Sequence, residues 1–365
     1  MYNVWNKWDK LKTVCLGTVH PIEFFDNIKN KRISDPLKRI TEETMEDLAN
    51  YESVLKDFGC TVIRTQTHIN EKDITKYPGN IPRNSLQPRD SQLVIGNKLV
   101  MFKFDNIGIA NALKKYNQKD MMYDPEIMRS SSPIFKPSNI PMANLGRIEA
   151  PCITVIGKRI IIDTLDIVKT IMRHHKTTSM KIEDAKEGDV LEWIKSHFPN
   201  FEYIEIDIGG HSDGSFHAIK PGAILALNDF MRYKKSFPGW DVCYLPDQSW
   251  GKIGPFMKLK EKVNGKWWLP GEEDNDDFTN YVESWLGDWV GYCEETVFDV
   301  NVLVLDEHHV CVSQKNNKQV NDFLKKHHME PIYIPWRHRY FWDGGLHCIT
   351  LDLEREGRQK DYFSL

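Results

Sequence analysis

The chain has 365 residues, of which 41% are hydrophobic and 27% are charged. A chain of this length and composition can bury a large core, which argues against a disordered protein. The 48 Lys and Arg residues against 52 Asp and Glu residues leave a formal net charge of -4. Because no long basic run accompanies this charge, nucleic acid is not an expected partner.

The first residues, MYNVWNKWDKLKTV, lack the basic and then apolar pattern of a signal peptide. No apolar stretch approaches the roughly 18 residues that a membrane-spanning helix needs. We therefore expect a soluble, cytoplasmic protein without a membrane partner.

The cysteines and histidines form no recognisable disulfide or metal pattern. Seven cysteines are scattered along the chain without a C-x-x-C pair, which argues against a disulfide framework or a structural zinc site. Adjacent histidines at 174–175, 308–309 and 327–328 point in different directions on a helix or strand, so we expect no metal site there.

Pairs of short apolar strands, separated by a turn, recur along the chain. Three of these hairpins have an acidic residue before the first strand, at Asp90, Glu149 and Asp213. We interpret the opening segment as the remnant of a further hairpin. In chain order the segments are WDKLKTVCLG (8–17), RDSQLVIGNKLVMF (89–102), IEAPCITVIGKRIIID (148–163), HSDGSFHAIKPGAILAL (211–227) and VNVLVLDEHHVCV (300–312).

Helices lie between the hairpins. The spacing of apolar residues predicts helices over 41–58, 187–198 and 316–328, leading into the strands CTVIRT, FEYIEID and PIYIPW. The repeating unit is therefore hairpin, helix and strand, which predicts an α/β fold built from similar modules. If the modules form a ring, the acids before the hairpins meet at its centre. Cys348 occupies the same place in the last module.

Residues 244–292 do not fit the repeat. They contain five tryptophans and the acidic run GEEDNDD at 271–277. We interpret this Trp-rich region as an insertion in a chain that otherwise forms a single domain over residues 1–365. It is either a surface excursion whose tryptophans pack on one another, or a lid over the site.

The segment WDGGLHCITLDLEREG, at 342–357, places Cys348 after two glycines and a histidine, where an alternating strand begins. Glycines let the backbone approach a ligand closely, so this position suits a nucleophile. The alternative is that Cys348 is a small buried apolar residue, as free cysteines usually are.

Carboxylates that converge with a His-Cys pair favour a planar cation as the substrate. A guanidinium group fits best, because its fork of N–H donors pairs with carboxylates in a bidentate manner. We predict that Asp90 and Asp213 bind it. Taken singly, each of these acids is more typical of a turn residue. An alternative interpretation is that His211, Asp213 and His217 form a metal site.

A guanidinium carbon is a poor electrophile, and a thiolate can divide its reaction into two easier steps. We predict that Cys348 attacks this carbon while His211 donates a proton to the departing amine. Glu149 would hold the His211 ring and stabilise its charged form. A second amine then takes the amidino group from the sulfur, or water takes it and leaves a ureido product.

Three segments resemble those of a known family. GGLHCITLDLEREG, at 344–357, resembles the nucleophile segment of the glycine and inosamine amidinotransferases. HSDGSFHAIKPG, at 211–222, is similar to their His-x-Asp segment, and the Arg-Asp pair at 89–90 also matches. The similarity extends from residue 8 to residue 362, outside the Trp-rich region.

This resemblance implies the pentein fold, a five-bladed α/β propeller of ββαβ modules with pseudo-fivefold symmetry. It implies a ping-pong transfer of an amidino group from L-arginine to an amine acceptor through a covalent amidino-cysteine. L-ornithine is released, and no metal or organic cofactor takes part. By position, Cys348 matches the family's nucleophile, His211 its acid and base, and Asp90 and Asp213 its guanidinium-binding carboxylates.

The acid that pairs with the histidine depends on the register chosen within one hairpin. Counting back from Gly157 places Glu149 there, whereas aligning the EAPC string would place Thr154 there. We adopt Glu149, because this register keeps the hairpin intact without a gap.

Two departures from the family pattern concern the substrate. Cys152 replaces the second acid of its module, and Glu294 and Glu295 stand where the relatives have a serine pair. In the glycine enzyme that neighbourhood helps to bind a carboxylate, which two glutamates would repel. We therefore expect Glu295 to contact a substrate other than glycine, and Arg232 to meet a substrate carboxylate.

Two alternatives remain open. A deiminase or dihydrolase on the same fold would share the covalent step and use water as the second nucleophile. A non-catalytic arginine-binding protein would keep the fold without turnover. A homodimer is among the assemblies that the sequence allows.

Overall fold

The computed structural model describes residues 1–67, 84–102, 107–123, 150–163, 188–206, 212–227, 231–245, 269, 271–272, 274–286, 299–342 and 344–363. Within these ranges the chain forms five three-stranded sheets, accompanied by helices. The α/β class predicted from the repeats is therefore confirmed.

The sheets share one plan, in which the middle strand is antiparallel to one neighbour and parallel to the other. In four of the five sheets a predicted hairpin provides the antiparallel pair, and the strand after the next helix adds in parallel. The sheets are ordered β15-β1-β2, β3-β4-β5, β6-β7-β8, β9-β10-β11 and β12-β13-β14. The strands are β1 Leu11–Leu16, β2 Thr61–Arg64, β3 Gln92–Ile95, β4 Lys98–Met101, β5 Met121–Tyr123, β6 Ile153–Ile156, β7 Arg159–Asp163, β8 Glu202–Ile206, β9 Phe216–Lys220, β10 Ala223–Ala226, β11 Asp241–Tyr244, β12 Leu303–Val304, β13 His309–Val312, β14 Glu330–Tyr333 and β15 Thr350–Arg355.

The first sheet joins distant parts of the chain. β1 lacks a hairpin partner next to it in sequence, and β15 fills that place, with Leu11 opposite Arg355 and Leu16 opposite Thr350. This pairing explains why the opening segment reads as half of a hairpin.

None of the helices in the described ranges is long and apolar enough to span a bilayer. They alternate with the sheets, as the repeating unit predicts. The helices are α1 Lys31–Asp57, α2 Ile107–Asn117, α3 Gly188–His197, α4 Ser212–Ser215, α5 Met231–Ser236, α6 Asp276–Leu286, α7 Lys318–Lys326 and α8 Arg339–Trp342.

The prediction that the first helix begins at residue 41 is wrong, because α1 begins ten residues earlier. The side chain of Asn30 accepts a hydrogen bond from the backbone N–H of Arg32 and caps the helix. Pro36 lies inside α1, yet the buried Leu37 and Ile40 continue the apolar stripe. Their packing outweighs the hydrogen bond that the proline removes.

Helix α6 belongs to the Trp-rich region and packs on α1. Its buried side chains Phe278 and Val282 join the same hydrophobic cluster as Leu37 and Leu48. The tryptophan side chains of this region lie outside the described residues, so its two interpretations both remain predictions.

A short segment precedes the first strand of each sheet, and we call these the lead-in segments. Pro88–Asp90 contacts Ala150–Cys152, which contacts Ser212–Ser215, while β15 also contacts Pro88–Asp90. The modules therefore bring their lead-in segments together. The lead-in segments are Pro88–Asp90, Ala150–Cys152, Ser212–Ser215, 299–302 and 344–349.

Candidate active site

Cys348 lies in the lead-in segment of β15 and is buried, with 1% of its surface exposed. Asn301, in another lead-in segment, contacts both its backbone and its thiol. The Asn301 Oδ1 atom accepts hydrogen bonds from the backbone N–H groups of His347 (2.9 Å) and Cys348 (3.1 Å). Its Nδ2 atom lies 2.8 Å from the Cys348 sulfur and donates to it. One side chain thus fixes both the turn and the thiol.

Two glycines make this approach possible. A Cβ atom on Gly345 would stand 2.6 Å from both Cβ and Oδ1 of Asn301, so only glycine fits beside that side chain. A Cβ atom on Gly344 would stand 3.3 Å from the Cβ of Cys348. Close packing around the thiol therefore requires glycine at position 345 and leaves little room for a side chain at position 344.

The thiol of Cys348 is held in its neutral form. Burial raises its pKa well above the ordinary value, and the carboxylates of Asp213 and Asp90 raise it further. The Asn301 amide and the Gly345 backbone act in the opposite direction but are outweighed. The neutral thiol donates a hydrogen bond to Oδ2 of Asp213, 3.8 Å away. A cation placed near these two carboxylates would favour the thiolate.

Asp213 lies in α4 and is 5% exposed. Its Oδ2 atom accepts from Nδ1 of His347, at 2.6 Å, and from the thiol of Cys348. Its Oδ1 atom is buried and has no hydrogen-bond partner among the described residues. Because buried carboxylate oxygens are normally hydrogen-bonded, an unsatisfied one next to a thiol is a natural acceptor for the N–H groups of a ligand.

His347 lies between Asp213 and Lys7. Its Nε2 atom is 3.4 Å from the Lys7 Nζ atom, and its ring meets that of His217 edge to face, with centroids 4.6 Å apart. Burial lowers the pKa of His347 well below the ordinary value, and the charges of Arg89 and Lys7 lower it further. The imidazole is therefore neutral.

A buried ion network supports the backbone beneath the site. The Arg89 guanidinium donates to the carbonyls of His347 (3.0 Å) and Thr350 (2.9 Å), and to Asp352 Oδ1 (2.8 Å). Arg355 donates to the other oxygen of Asp352, at 2.8 Å. Burial alone would raise the pKa of Asp352, but Arg355, Arg89 and Lys7 outweigh it and hold that pKa well below its usual range.

The structure brings together three of the residues that the sequence singled out. Cys348 and Asp213 are in contact, and Asp90 lies on Pro88–Asp90, close enough for its charge to raise the pKa of the thiol. His211, Glu149 and Glu295 lie outside the described residues, as does the side chain of Arg232 in α5. The roles of all seven residues stay predictions.

The two registers considered for Glu149 also remain open. Thr154, the alternative, is buried, and its hydroxyl lies 3.3 Å from that of Ser212, the neighbour of Asp213. Thr154 is therefore close to the site, while Glu149 lies outside the described residues.

Asn301 and Lys7 were not predicted from the sequence as site residues, and His347 was given no separate role. Asn301 stands in the quoted segment VNVLVLDEHHVCV, and its place before a first strand was a usable signal. Lys7 offered none, because it precedes a strand whose partner is more than 300 residues away.

Nothing in the described ranges groups three or more His, Cys, Asp or Glu side chains as a metal site would require. His309 and His327, one from each of two histidine pairs, contact Asp306 and Asp241 respectively.

Replacement of Asn301 by alanine is expected to destabilise the fold by about 1–3 kcal/mol, because two buried N–H groups lose their acceptor. Urea denaturation, which gives the free energy of unfolding, measures the loss of stability. Asn321→Ala is the control: its amide bonds the Lys315 carbonyl on the surface, and its loss should cost less than about 0.5 kcal/mol. Equal losses in both variants would show that Asn301 does not hold the turn.

Comparisons with known proteins give similarities in sequence and in fold. The mitochondrial glycine amidinotransferase of Xenopus tropicalis is 26% identical over 179 residues, which are 48% of this chain and 35% of that protein. The match thus spans about a third of the length of this curated relative. No family model matches the chain.

Solved structures match the whole chain. An amidinotransferase of the saxitoxin biosynthetic pathway from Microseira wollei has a TM-score of 0.64 and 19% identity, covering 99% of each chain. The inosamine-phosphate amidinotransferase of Streptomyces griseus has a TM-score of 0.63 and 16% identity, covering 100% of this chain and 99% of that one. At these identities the likeness is one of fold. Together with the sequence match, it confirms that the chain resembles the amidinotransferases of the pentein superfamily.

Proposed function

We propose that the protein is an amidinotransferase that takes the amidino group of L-arginine onto Cys348, releases L-ornithine and passes the group to an amine acceptor. The observation that supports this most directly is the contact between the buried thiol of Cys348 and Asp213, whose second oxygen has no hydrogen-bond partner among the described residues. A carboxylate with a free acceptor oxygen beside a nucleophile suits a guanidinium group.

The proposed reaction begins with the binding of the arginine guanidinium by Asp213 and Asp90. Its positive charge offsets the two carboxylates that keep the Cys348 pKa high, so binding favours the thiolate. The thiol proton passes to His211, and the sulfur attacks the central carbon of the guanidinium. His211 then returns the proton to the leaving nitrogen as the carbon–nitrogen bond breaks. Ornithine leaves, and the amidino group stays on the sulfur.

The second half reverses these steps with another amine. The lone pair of the acceptor nitrogen attacks the amidino carbon while neutral His211 removes a proton from that nitrogen. The carbon–sulfur bond then breaks and regenerates Cys348. Glu149 holds the His211 ring in one orientation and stabilises its charged form. We assign Arg232 and Glu295 to the binding of the substrates beyond the reacting group.

A five-bladed propeller is the architecture that we infer for the five sheets. The contacts among the lead-in segments of different sheets support it, as does the common plan of the sheets. In this arrangement each blade points its lead-in segment at the axis, where the thiol lies.

The reaction is tested by incubating the protein with arginine, with and without candidate amines, and identifying the products by mass spectrometry. Acceptor-dependent ornithine, with an amidino adduct on Cys348, is the expected result. Citrulline without ornithine, regardless of acceptor, would instead indicate a hydrolase. Intact bound arginine without an adduct would indicate a binding protein. A screen of amino acids, aminocyclitols and polyamines then identifies the acceptor.

Replacement of Asp213 by asparagine is expected to raise the KM for arginine by at least about 30-fold, since a hydrogen bond to a charged group is worth roughly 2 kcal/mol. The variant keeps an acceptor for His347 but presents neutral N–H groups to the guanidinium. Steady-state kinetics with arginine as the varied substrate measure the effect. The control is Asp306→Asn, in the turn between β12 and β13, which should keep the wild-type KM. An unchanged KM in Asp213→Asn would remove Asp213 from the donor site.

A further inference from the structure

We propose that Lys7 and His347 are positioning residues of the donor site, which hold Asp213 with Oδ2 bound and Oδ1 turned free toward the guanidinium. The proposal rests on the proposed function and adds to it a chain of two side chains behind the substrate-binding carboxylate. Neither side chain contacts the substrate in this proposal, and both act through Asp213.

The hydrogen-bond roles along this chain follow from the chemistry of each group. An ionised carboxylate can only accept, so the proton between His347 and Asp213 belongs to Nδ1 of His347. A neutral imidazole then has a lone pair on Nε2, and the Lys7 amine is the donor that faces it at 3.4 Å. Asp213 thus selects the His347 tautomer that donates to it, and Lys7 supports that tautomer from the other side of the ring.

The burial of Lys7 indicates that this contact has a purpose beyond stability. Only 6% of Lys7 is exposed, and His347 is its one hydrogen-bond partner in the described part of the chain. Burying an amine without a carboxylate partner costs free energy. Burial lowers the pKa of Lys7 to about 7, with Arg89 and Arg355 lowering it and Asp352 and Asp213 opposing. The amine still donates a hydrogen bond whether it is charged or neutral.

The geometry at Asp213 shows what the chain achieves. With Oδ2 bound to His347, rotation of the carboxylate would break a 2.6 Å hydrogen bond, so Oδ1 keeps one direction. A guanidinium clamp requires such a fixed carboxylate, because bidentate pairing tolerates little misalignment. Loss of Lys7 leaves Nε2 of His347 without its donor, so the ring is then held by its bond to Asp213 alone and orients that carboxylate less firmly.

A double-mutant cycle tests the proposal through the KM and kcat for arginine. Lys7→Met keeps the length of the side chain and should raise KM about 10-fold, while kcat changes by less than about 3-fold. His347→Leu removes the donor to Asp213 and should raise KM by about 100-fold. His347→Asn restores a donor at the Nδ1 position, so its KM should be only about 10-fold above that of the wild-type protein.

The double variant Lys7→Met with His347→Asn tests whether Lys7 acts through His347. Asparagine has no second nitrogen for Lys7 to bind, so the double variant should match His347→Asn alone, at about 10-fold. Additive effects, near 100-fold, would overturn the proposal, because Lys7 would then act by another route. Lys10→Met, at an exposed lysine three residues away, is the control and should leave KM unchanged.

The outcomes separate this inference from the proposed function. A wild-type protein that makes no ornithine from arginine with any acceptor overturns both. Wild-type activity combined with an unchanged KM in folded Lys7→Met overturns the positioning role alone. Should Lys7→Met fail to fold, the comparison of His347→Asn with His347→Leu decides, and equal KM values in the two would contradict the role of the Nδ1 donor.

Discussion

Replacement of Cys348 by alanine is expected to lower kcat for amidino transfer by about 10⁴-fold or more, the scale of loss when a covalent nucleophile is removed. The fold should persist, because alanine fills most of the buried space and Asn301 still bonds the backbone of the turn. Ornithine release in a fixed-time assay measures the activity, and circular dichroism measures the fold.

The control for Cys348→Ala is Cys15→Ala, in β1. Both thiols are buried, and burial raises the pKa of Cys15 to about 12, so neither thiol is reactive merely by exposure. Only the Cys348 variant should lose activity. If Cys348→Ala keeps appreciable turnover, a covalent route through this sulfur is wrong. Equal losses in both variants would attribute the effect to packing.

Replacement of Asp352 by asparagine is expected to lower the free energy of unfolding by about 3–5 kcal/mol, since it leaves two buried guanidinium groups without their counter-ion. Arg89 and Arg355 both bind this carboxylate, and all three side chains are at most 3% exposed. Urea denaturation measures the loss. Because Arg89 also bonds the His347 carbonyl, the site should lose order together with the fold.

Asp120→Asn is the control for this network. Asp120 pairs with Lys98 at 2.7 Å, where both side chains are about a third exposed, and such pairs contribute little. A similar midpoint for Asp352→Asn and Asp120→Asn would contradict the stabilising role of the buried network.

The modules of the fold could be predicted from local patterns. Alternating apolar runs identify the hairpins and the 3.6-residue period identifies the helices, because both signals arise within a dozen residues. The start of α1 could not be located in this way. Pro36 is a strong local signal against a helix, and only the packing of Leu37 and Ile40 in the core overrides it.

The candidate site was predictable only in part, for a different reason. Cys348 and Asp213 both precede strands, so the repeat itself marks them. Lys7 and Asn301 are ordinary polar residues whose importance comes from neighbours far away in sequence. Sequence spacing does not reveal that Lys7 will lie beside His347.

The pairing of β1 with β15 means that the candidate active site is assembled late in folding. The strand that completes this sheet begins at Thr350, two residues after Cys348, and its partner lies more than 300 residues upstream. Such distant contacts form slowly, because a long stretch of chain must first be ordered. In a polypeptide still being synthesised, β1 can therefore pair with β2 but not yet with β15, and the sulfur of Cys348 joins the acids of the other modules only when β15 pairs with β1.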